Sequence, residues 1–367
     1  MQNCKFIEIN DVRTKEYFKG ITFSKFLKSK VKKEIVDSIY NCNIEPACYW
    51  CSELICSGHF TDLWDLILLY LGKNINIANP KLSIYLYSCF EKFKKIVVTK
   101  YEDNDLNLRN NSDIRKIFAQ IIVLLCLSKK KYSIQNLTIK NKNEFLINNL
   151  NNKLKAPNVE YANHIFRSDD PKEIFIAINE FAYNISEEGN DCTQAAYWFE
   201  WVMEYEKLSK NNISHCVCSF RSLANVAERY KNDVIWIFWE AILSESKKKD
   251  ANCVKIINSY LNLFCIRYSS SCKNKRKYLI YACISFLTEK IDFNVPVIDK
   301  RNILENIVNN IDIIYLEVKK NEIIDSTYLE NDKEVDSDTK ILNVKDNTSK
   351  KSLTKIDKFN QILYNIK

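Results

Sequence analysis

Residues 47–72, which read ACYWCSELICSGHFTDLWDLILLYLG, decide the fold class of this protein. Two apolar runs of helical length are separated by Gly58 and closed by Gly72, and Pro46 precedes the first run. Proline fits the first turn of a helix, and glycine commonly follows the last turn. The pattern therefore predicts two short helices, with Asp62 as the N-terminal cap of the second.

Further helices are predicted on both sides of this stretch. Asn79-Pro80 opens a third run at residues 81–98, and the short connections favour antiparallel packing. Residues 22–40 place apolar side chains four apart between lysines, which is typical of an amphipathic helix. These side chains are Phe23, Leu27, Val31, Ile35 and Ile39. Later runs predict helices at 172–185, 194–208, 233–245, 253–268, 277–290 and 301–319.

The whole chain is poor in glycine and proline. Its 367 residues include four glycines and five prolines, but six tryptophans, 20 tyrosines and 19 phenylalanines. Multi-stranded folds need frequent turns with positive φ, which glycine supplies, whereas helical bundles do not. The aromatic residues can fill a large core. We therefore predict an all-α, multi-helix bundle.

The composition divides the chain into four predicted segments. A Lys/Asn-rich connection at 129–157 separates an N-terminal helical unit, 1–128, from a second helical unit, 158–320. Acidic and hydroxyl residues dominate 321–367, which favours a disordered tail with a short terminal helix, IDKFNQILYNIK.

The two predicted units share short sequences. Ala47-Cys-Tyr-Trp50 matches Ala195-Ala-Tyr-Trp198, and the WDLIL run from Trp64 matches the WEAIL run from Trp239. The latter pair keeps its spacing as far as Tyr85-Leu86 and Tyr260-Leu261. An internal duplication explains these matches, and so does chance in a chain of biased composition.

Two groups of cysteines and histidines have the residue types of a zinc site. The array Cys48, Cys51, Cys56 and His59 could supply four ligands, but its apolar neighbours predict a packed helix with cysteines in the core. The second group has no recognised spacing and consists of Cys192, His215, Cys216 and Cys218. We predict no metal site.

The sequence carries no recognised catalytic or nucleotide-binding motif. G-x-x-x-x-G-K-[ST], G-x-G-x-x-G and G-x-S-x-G are all absent. His164 is predicted on a helix face, and the carboxylate pairs Glu200/Glu204 and Asp62/Asp65 are predicted on solvated faces. We therefore predict neither a catalytic residue nor a cofactor.

Lysines and tryptophans give the remaining candidate surfaces. The net charge is +8, and two basic stretches could bind phosphates or form solvated faces. Their residues are Lys25, Lys28, Lys30, Lys32, Lys33, Lys273, Lys275, Arg276 and Lys277. The tryptophan pairs 198/201 and 236/239 lie three residues apart among apolar neighbours and are predicted in the core.

The expected compartment follows from the cysteines and the termini. Fourteen cysteines in a large, aromatic-rich chain favour reduced thiols, and the charged start MQNCKFIEIN lacks the features of a signal peptide. The longest apolar runs are too short to span a bilayer. We expect a soluble intracellular protein that is neither secreted nor bound to a membrane.

Four sequence runs carry a resemblance to a known family: ACYWCSELICSGHFTDLW, NINIANPKLSIYLYSCF, AAYWFEWVMEYE and DVIWIFWEAIL. They resemble a family of uncharacterised proteins of large nucleocytoplasmic DNA viruses, and the resemblance covers most of residues 20–290. Residues 47–95 are also similar to the helical collar of clamp-loader ATPases, although the ATPase module is missing. The resemblance implies a non-catalytic scaffold in viral DNA replication, located in the host cytoplasm or viral factory, with replication proteins as partners. The alternative is a basic nucleic-acid-binding or virion-packaged protein.

Overall fold

A computed structural model describes residues 7–100, 105–134, 137–139, 142–145, 150–209 and 216–324. Within these ranges the backbone is mainly helical, and β-type pairing is limited to an isolated antiparallel bridge between Ile21 and Leu27. The all-α prediction is confirmed for this part of the chain. The predicted terminal helix and most of the predicted tail lie outside the described residues.

The α-helices are numbered in chain order. They are α1 (Lys28–Tyr40), α2 (Ile44–Cys56), α3 (Phe60–Tyr70), α4 (Leu82–Lys100), α5 (Ser112–Leu127), α6 (Phe175–Ile185), α7 (Cys192–Ser209), α8 (Ile235–Ser246), α9 (Ala251–Cys265), α10 (Lys273–Thr288), α11 (Arg301–Asn309) and α12 (Ile311–Lys319). The predicted single helix at 301–319 is therefore two helices. They separate at Asn310, whose backbone leaves the helical conformation and whose side chain bonds to Asn306.

Two compact units are formed by these helices. Unit 1 contains the described residues of Met1–Leu63, Lys92–Leu127 and Lys300–Lys367, and unit 2 those of Trp64–Glu91 and Ser128–Asp299. This grouping differs from the predicted boundaries because α11 and α12, placed by prediction in the second unit, pack on α5 and α2. The matching Trp64 and Trp239 runs both fall in unit 2.

Unit 1 is built around α2. Every residue from Ala47 to Cys56 except Tyr49 is buried, and α1, α5 and α12 pack against this helix. A helix that is apolar on all sides belongs in a core. Pro46 lies in its first turn, as the sequence predicted.

Gly58 ends α2 in the predicted way. Its φ of 72° is in the left-handed region, which glycine adopts without steric cost. The His59 N–H donates to the Leu54 carbonyl at 2.8 Å, and the Gly58 N–H donates to the Ile55 carbonyl at 3.0 Å. These two bonds form a Schellman motif, which satisfies the last carbonyls of the helix.

The predicted start of the first helix is wrong. Helix α1 begins at Lys28 rather than near residue 22, because residues 21–27 form a tight turn in which Lys25 has a φ of 63°. Val31, Ile35 and Ile39 are buried as expected, and Phe23 is buried in the turn; Leu27, however, is 63% exposed.

Unit 2 is built around α10. All residues from Tyr278 to Leu287 are buried, and α6, α7, α8 and α9 all contact this helix. The predicted connection also contributes to the unit. Phe145 packs on the Trp201 ring of α7 at 4.9 Å, and the Trp201 indole donates to the Glu144 carbonyl.

Gly72 serves a different purpose from the predicted helix end. The chain continues past α3 as a π-helical turn, Leu71–Ile75, that packs against α10. A Cβ atom on Gly72 would lie 2.7 Å from the carbonyl carbon and oxygen of Tyr278. The glycine is therefore required by the close approach of two backbones.

Candidate functional site

A surface cleft in unit 2 brings together residues that the sequence analysis did not group. It lies between the turn at 158–165 and the C-terminal ends of α6 and α8, and its volume is about 360 Å³. Ile165, Ala182, Ile185 and Ala241 supply an apolar surface. The polar lining consists of Asn158, Glu160, Tyr161, His164, Ser186, Glu188, Glu245 and Lys248. This mixture is typical of a binding cleft.

Two buried polar residues of α6 hold the turn beside the cleft. The Asn179 amide donates to the Asn158 carbonyl at 2.8 Å and accepts from the Ala162 N–H at 3.2 Å. The Glu180 carboxylate accepts from the N–H groups of Lys155 and Ala156, at 2.9 and 3.0 Å. Buried polar groups need such partners, and the adjacent Asn-Glu between apolar residues of α6 was the sequence signal for this turn.

A serine and a histidine meet at the edge of the cleft. His164 Nε2 lies 2.9 Å from the Ser244 hydroxyl. His164 is in a turn, so its predicted position on a helix face is wrong. A nucleophile needs a base that a third group orients. Ser244 lies in the last turn of α8, where the partial negative charge of the helix end opposes formation of an alkoxide.

Carboxylates dominate the charge of the cleft. Glu245 is more than nine-tenths buried; its Oε2 accepts from Lys248 at 2.7 Å, and its Oε1 has no hydrogen-bond partner among the described residues. Glu188 accepts a hydrogen bond from the Tyr161 hydroxyl, which raises the pKa of Tyr161 to about 12. Glu160 is an exposed carboxylate of the lining. The cleft can therefore attract a cation.

The lysines of the first basic stretch differ in availability. Lys28 and Lys32 pair with the Asp62 carboxylate at 2.9 and 3.0 Å. The predicted capping role of Asp62 is wrong, because α3 begins at Phe60 and Asp62 lies inside its first turn. Lys25 and Lys33 are exposed, and Lys30 is half-buried. Lys25 and Lys33 are therefore the lysines of this stretch that are most accessible to a ligand.

The second basic stretch mostly stabilises unit 2. Lys273 is buried and contacts Glu206 at 2.6 Å and Asp233 at 2.7 Å. Arg276 is buried and pairs with Asp65, and Lys277 pairs with Glu200 at 2.8 Å. Lys275 is exposed. Three of the four predicted phosphate contacts thus have carboxylate partners within the unit.

The cysteines of the first candidate zinc array are buried side chains of α2. Burial raises the pKa of the Cys48, Cys51 and Cys56 thiols, which opposes the thiolate that zinc requires. The His59 ring bonds to the Ile21 carbonyl at 2.8 Å. In the second array His215 lies outside the described residues. Among the residues that the structure describes, no three metal-binding side chains come together.

The tryptophan pairs lie in the core, and Glu204 lies in a surface ion pair. Trp198, Trp201, Trp236 and Trp239 are buried, which confirms their predicted place in the core. Glu204 pairs with Lys207 on the surface of α7. No helix within the described residues has both the length and the apolar character of a membrane span.

Comparison with known proteins identifies no relative: no protein-family model, no curated protein and no solved structure matches this chain. The resemblance to viral proteins and clamp-loader collars stays a hypothesis based on the sequence runs quoted above.

Proposed function

We propose that this protein is a non-catalytic helical scaffold that binds a protein partner through the cleft of unit 2. The observation that carries the proposal is the position of Ser244 and His164. They meet at the negative, C-terminal end of α8; Glu245 is the next residue of that helix, and Glu188 lines the same cleft. Such surroundings disfavour an activated nucleophile and favour binding of a positively charged group.

The buried ionisable residues support the same interpretation. Arg221 is fully buried and pairs with Asp170 at 2.6 Å, while Lys273 joins Glu206 to Asp233. Arg221 joins the loop that contains Asp170 to Glu240 of α8, and Lys273 joins the start of α10 to Glu206 of α7 and to Asp233 just before α8. These buried ion pairs make unit 2 a rigid support for the cleft.

The partner class comes from the sequence resemblance. The resemblance to clamp-loader collars supports a role as a scaffold in DNA replication, and the resemblance to viral proteins supports a location in the cytoplasm or viral factory of an infected cell. We therefore propose a component of the replication machinery as the partner.

Affinity capture of the full chain from infected cells, with chemical cross-linking, tests the proposal. We expect polymerase, clamp or clamp-loader proteins, and we expect Asn158→Trp, which fills the cleft, to lose them. Asn258→Trp on the exposed face of α9 is the matched control. Recovery of virion structural proteins alone would contradict a replication role. Equal capture by both variants would show that the cleft is not the docking site.

Ser244→Ala separates a scaffold from a hydrolase. The substitution removes the hydroxyl that bonds to His164 but leaves the cleft open. We expect partner capture and viral DNA synthesis to be unchanged. If the variant kept the partner but lost function, Ser244 would have a chemical role and the non-catalytic proposal would fail.

Binding of nucleic acid is the second candidate function, favoured by the exposure of Lys25 and Lys33. Lysines that neutralise phosphates give an affinity that falls steeply as salt increases. Gel shifts over a salt series, with Lys25→Glu/Lys33→Glu beside the wild type, test this candidate. Negligible binding at low salt, or equal binding by both proteins, removes it.

A further inference from the structure

We propose that the cleft of unit 2 binds the guanidinium group of an arginine side chain that the protein partner presents. This inference rests on the proposed function, because it names the chemistry by which the same cleft recognises its partner. The charge, the shape and the aromatic lining of the cleft favour this class of ligand.

The charge of the lining selects a cation. The lining contains three carboxylates, Glu160, Glu188 and Glu245, but one ammonium group, that of Lys248, which donates to Oε2 of Glu245. Lys248 is mostly exposed, so solvent screens its contribution, whereas Glu245 is buried beneath the cleft. Lys247 and Lys249 flank Lys248 in sequence but do not line the cleft. The buried carboxylate therefore has one oxygen that can accept from a ligand.

The C-terminal ends of two helices add to this negative potential. Helix α6 ends at Ile185 and α8 ends at Ser246, and residues of both last turns line the cleft. The carbonyl end of a helix carries a partial negative charge and stabilises cations nearby. The potential thus has two sources, side chains and backbone.

The aromatic lining favours arginine over lysine. The Tyr161 ring lines the cleft and packs edge-on against the Tyr183 ring at 5.0 Å. A guanidinium group stacks on aromatic rings and can bond two carboxylate oxygens at once, whereas an ammonium group is a more strongly hydrated point charge. A volume of about 360 Å³ is sufficient for one long side chain over the apolar surface of Ile165 and Ile185.

Titration of the full chain with two tripeptides tests the inference. Ac-Gly-Arg-Gly-NH2 carries the guanidinium group, and Ac-Gly-Cit-Gly-NH2 carries citrulline, its neutral isostere. We expect saturable binding of the arginine peptide, measured by NMR shifts of residues 158–165 and 244–248, and binding that weakens as salt increases. Equal binding of the citrulline peptide, or no saturable binding of either, would overturn the inference.

Two substitutions in the cleft and one control test which carboxylates bind the arginine peptide. Glu188→Gln and Glu245→Gln should each weaken the arginine peptide about tenfold, since each removes one charge-assisted contact. Glu187→Gln is the matched control, because Glu187 is an exposed neighbour of Glu188 outside the lining. Circular dichroism checks that each variant folds. An unchanged affinity in both cleft variants would contradict the proposal.

Further outcomes separate the chemical classes. Ac-Gly-Lys-Gly-NH2 binding as tightly as the arginine peptide would overturn the choice of guanidinium, and preferential binding of inorganic phosphate would overturn the choice of a cation. If the peptide binds as expected but no partner protein is captured, the proposed function fails while the site stands. If a partner is captured equally by wild type and Glu188→Gln, the scaffold stands and this inference fails.

Discussion

Asp170 and Arg221 form a fully buried ion pair in unit 2. Burial raises the pKa of the Asp170 carboxyl, but hydrogen bonds from Arg221 and from the backbone N–H groups of Arg167 and Ser219 outweigh it. The net pKa lies below the ordinary value of 3.8. The charged carboxylate is therefore the form that the fold stabilises.

Asp170→Asn should reveal this contribution as a function of pH. Because the folded-state pKa is lowered, the stabilisation is complete above the unfolded-state value and is lost as pH falls through the folded-state value. We expect a loss of about 3–5 kcal/mol at neutral pH, since Arg221 keeps fewer anionic partners. The difference from the wild type should shrink below about pH 4.

Urea unfolding between neutral and acidic pH measures this difference. Glu228→Gln is the control, because its carboxylate is 76% exposed and its effect should be small at every pH. A difference for Asp170→Asn that is as large in acid as at neutral pH would show that the charge of Asp170 is not what stabilises the fold.

Glu53 is a buried carboxylate whose partners are neutral. Burial raises its pKa, and hydrogen bonds from Ser24, Thr22 and Tyr49 only partly oppose the shift. The Thr22 hydroxyl donates at 2.8 Å and the Ser24 N–H at 3.0 Å. The acid between the apolar residues of α2 therefore joins that helix to the turn that precedes α1.

Glu53→Gln should stabilise the protein at neutral pH. A raised folded-state pKa means that the charged form is penalised by folding once pH exceeds the unfolded-state value, and a neutral amide avoids this penalty. The gain should disappear in acid, where Glu53 is protonated. Glu53→Ala, in contrast, should lose about 1–3 kcal/mol for each buried donor that it leaves without an acceptor. Thermal unfolding of both variants over a range of pH tests these expectations. A Glu53→Gln variant that is less stable than the wild type at neutral pH would contradict the first of them.

At the scale of elements, Gly72 and Gly20 need glycine for different reasons. A Cβ on Gly72 would meet the backbone of α10, whereas a Cβ on Gly20 would meet nothing within 4 Å, although its φ is 87°. The first constraint comes from packing and the second from local conformation.

Gly72→Ala should therefore destabilise unit 2 more than Gly20→Ala destabilises unit 1. Overpacking against an immobile backbone costs about 1–3 kcal/mol or more, and a left-handed alanine costs roughly 1–2 kcal/mol. Denaturant unfolding with hydrogen-exchange mass spectrometry gives both values. Equal losses, or a tolerated Gly72→Ala, would show that the π-helical turn can move away from α10.

In the part of the chain that the structure describes, each unit has a largely buried helix at its centre, α2 in unit 1 and α10 in unit 2. Each has its core contacts within its own unit, so a cavity in one helix removes packing from that unit. This arrangement makes stability a property of each unit as well as of the chain.

Leu54→Ala and Ile280→Ala test this division. Both side chains are fully buried, and each truncation should cost about 2–5 kcal/mol. We expect hydrogen exchange to accelerate chiefly in unit 1 for Leu54→Ala and chiefly in unit 2 for Ile280→Ala. Val98→Ala, at an exposed position on α4, is the control. Equal acceleration in both units would mean that they unfold as one.

The sequence by itself determined the helical class and the ends of several elements. Scarce glycine, helical spacing such as Val31, Ile35 and Ile39, and the capping signal at Gly58 act through neighbours within a few residues of the chain. The core positions of the four tryptophans followed from the same periodicity. Local interactions of this kind are encoded in short windows, so they can be recognised without a structure.

The tertiary structure alone decided what the polar residues do. Lys273 and Arg276 look like a basic patch in sequence, but carboxylates contributed by other elements of unit 2 neutralise them. The cleft is formed by the turn at 158–165 and the last turns of α6 and α8. Gly72 packs against the backbone of Tyr278, which is distant in sequence. The physical reason is distance: ion pairs, clefts and backbone contacts depend on which segments pack together, and that depends on the core as a whole.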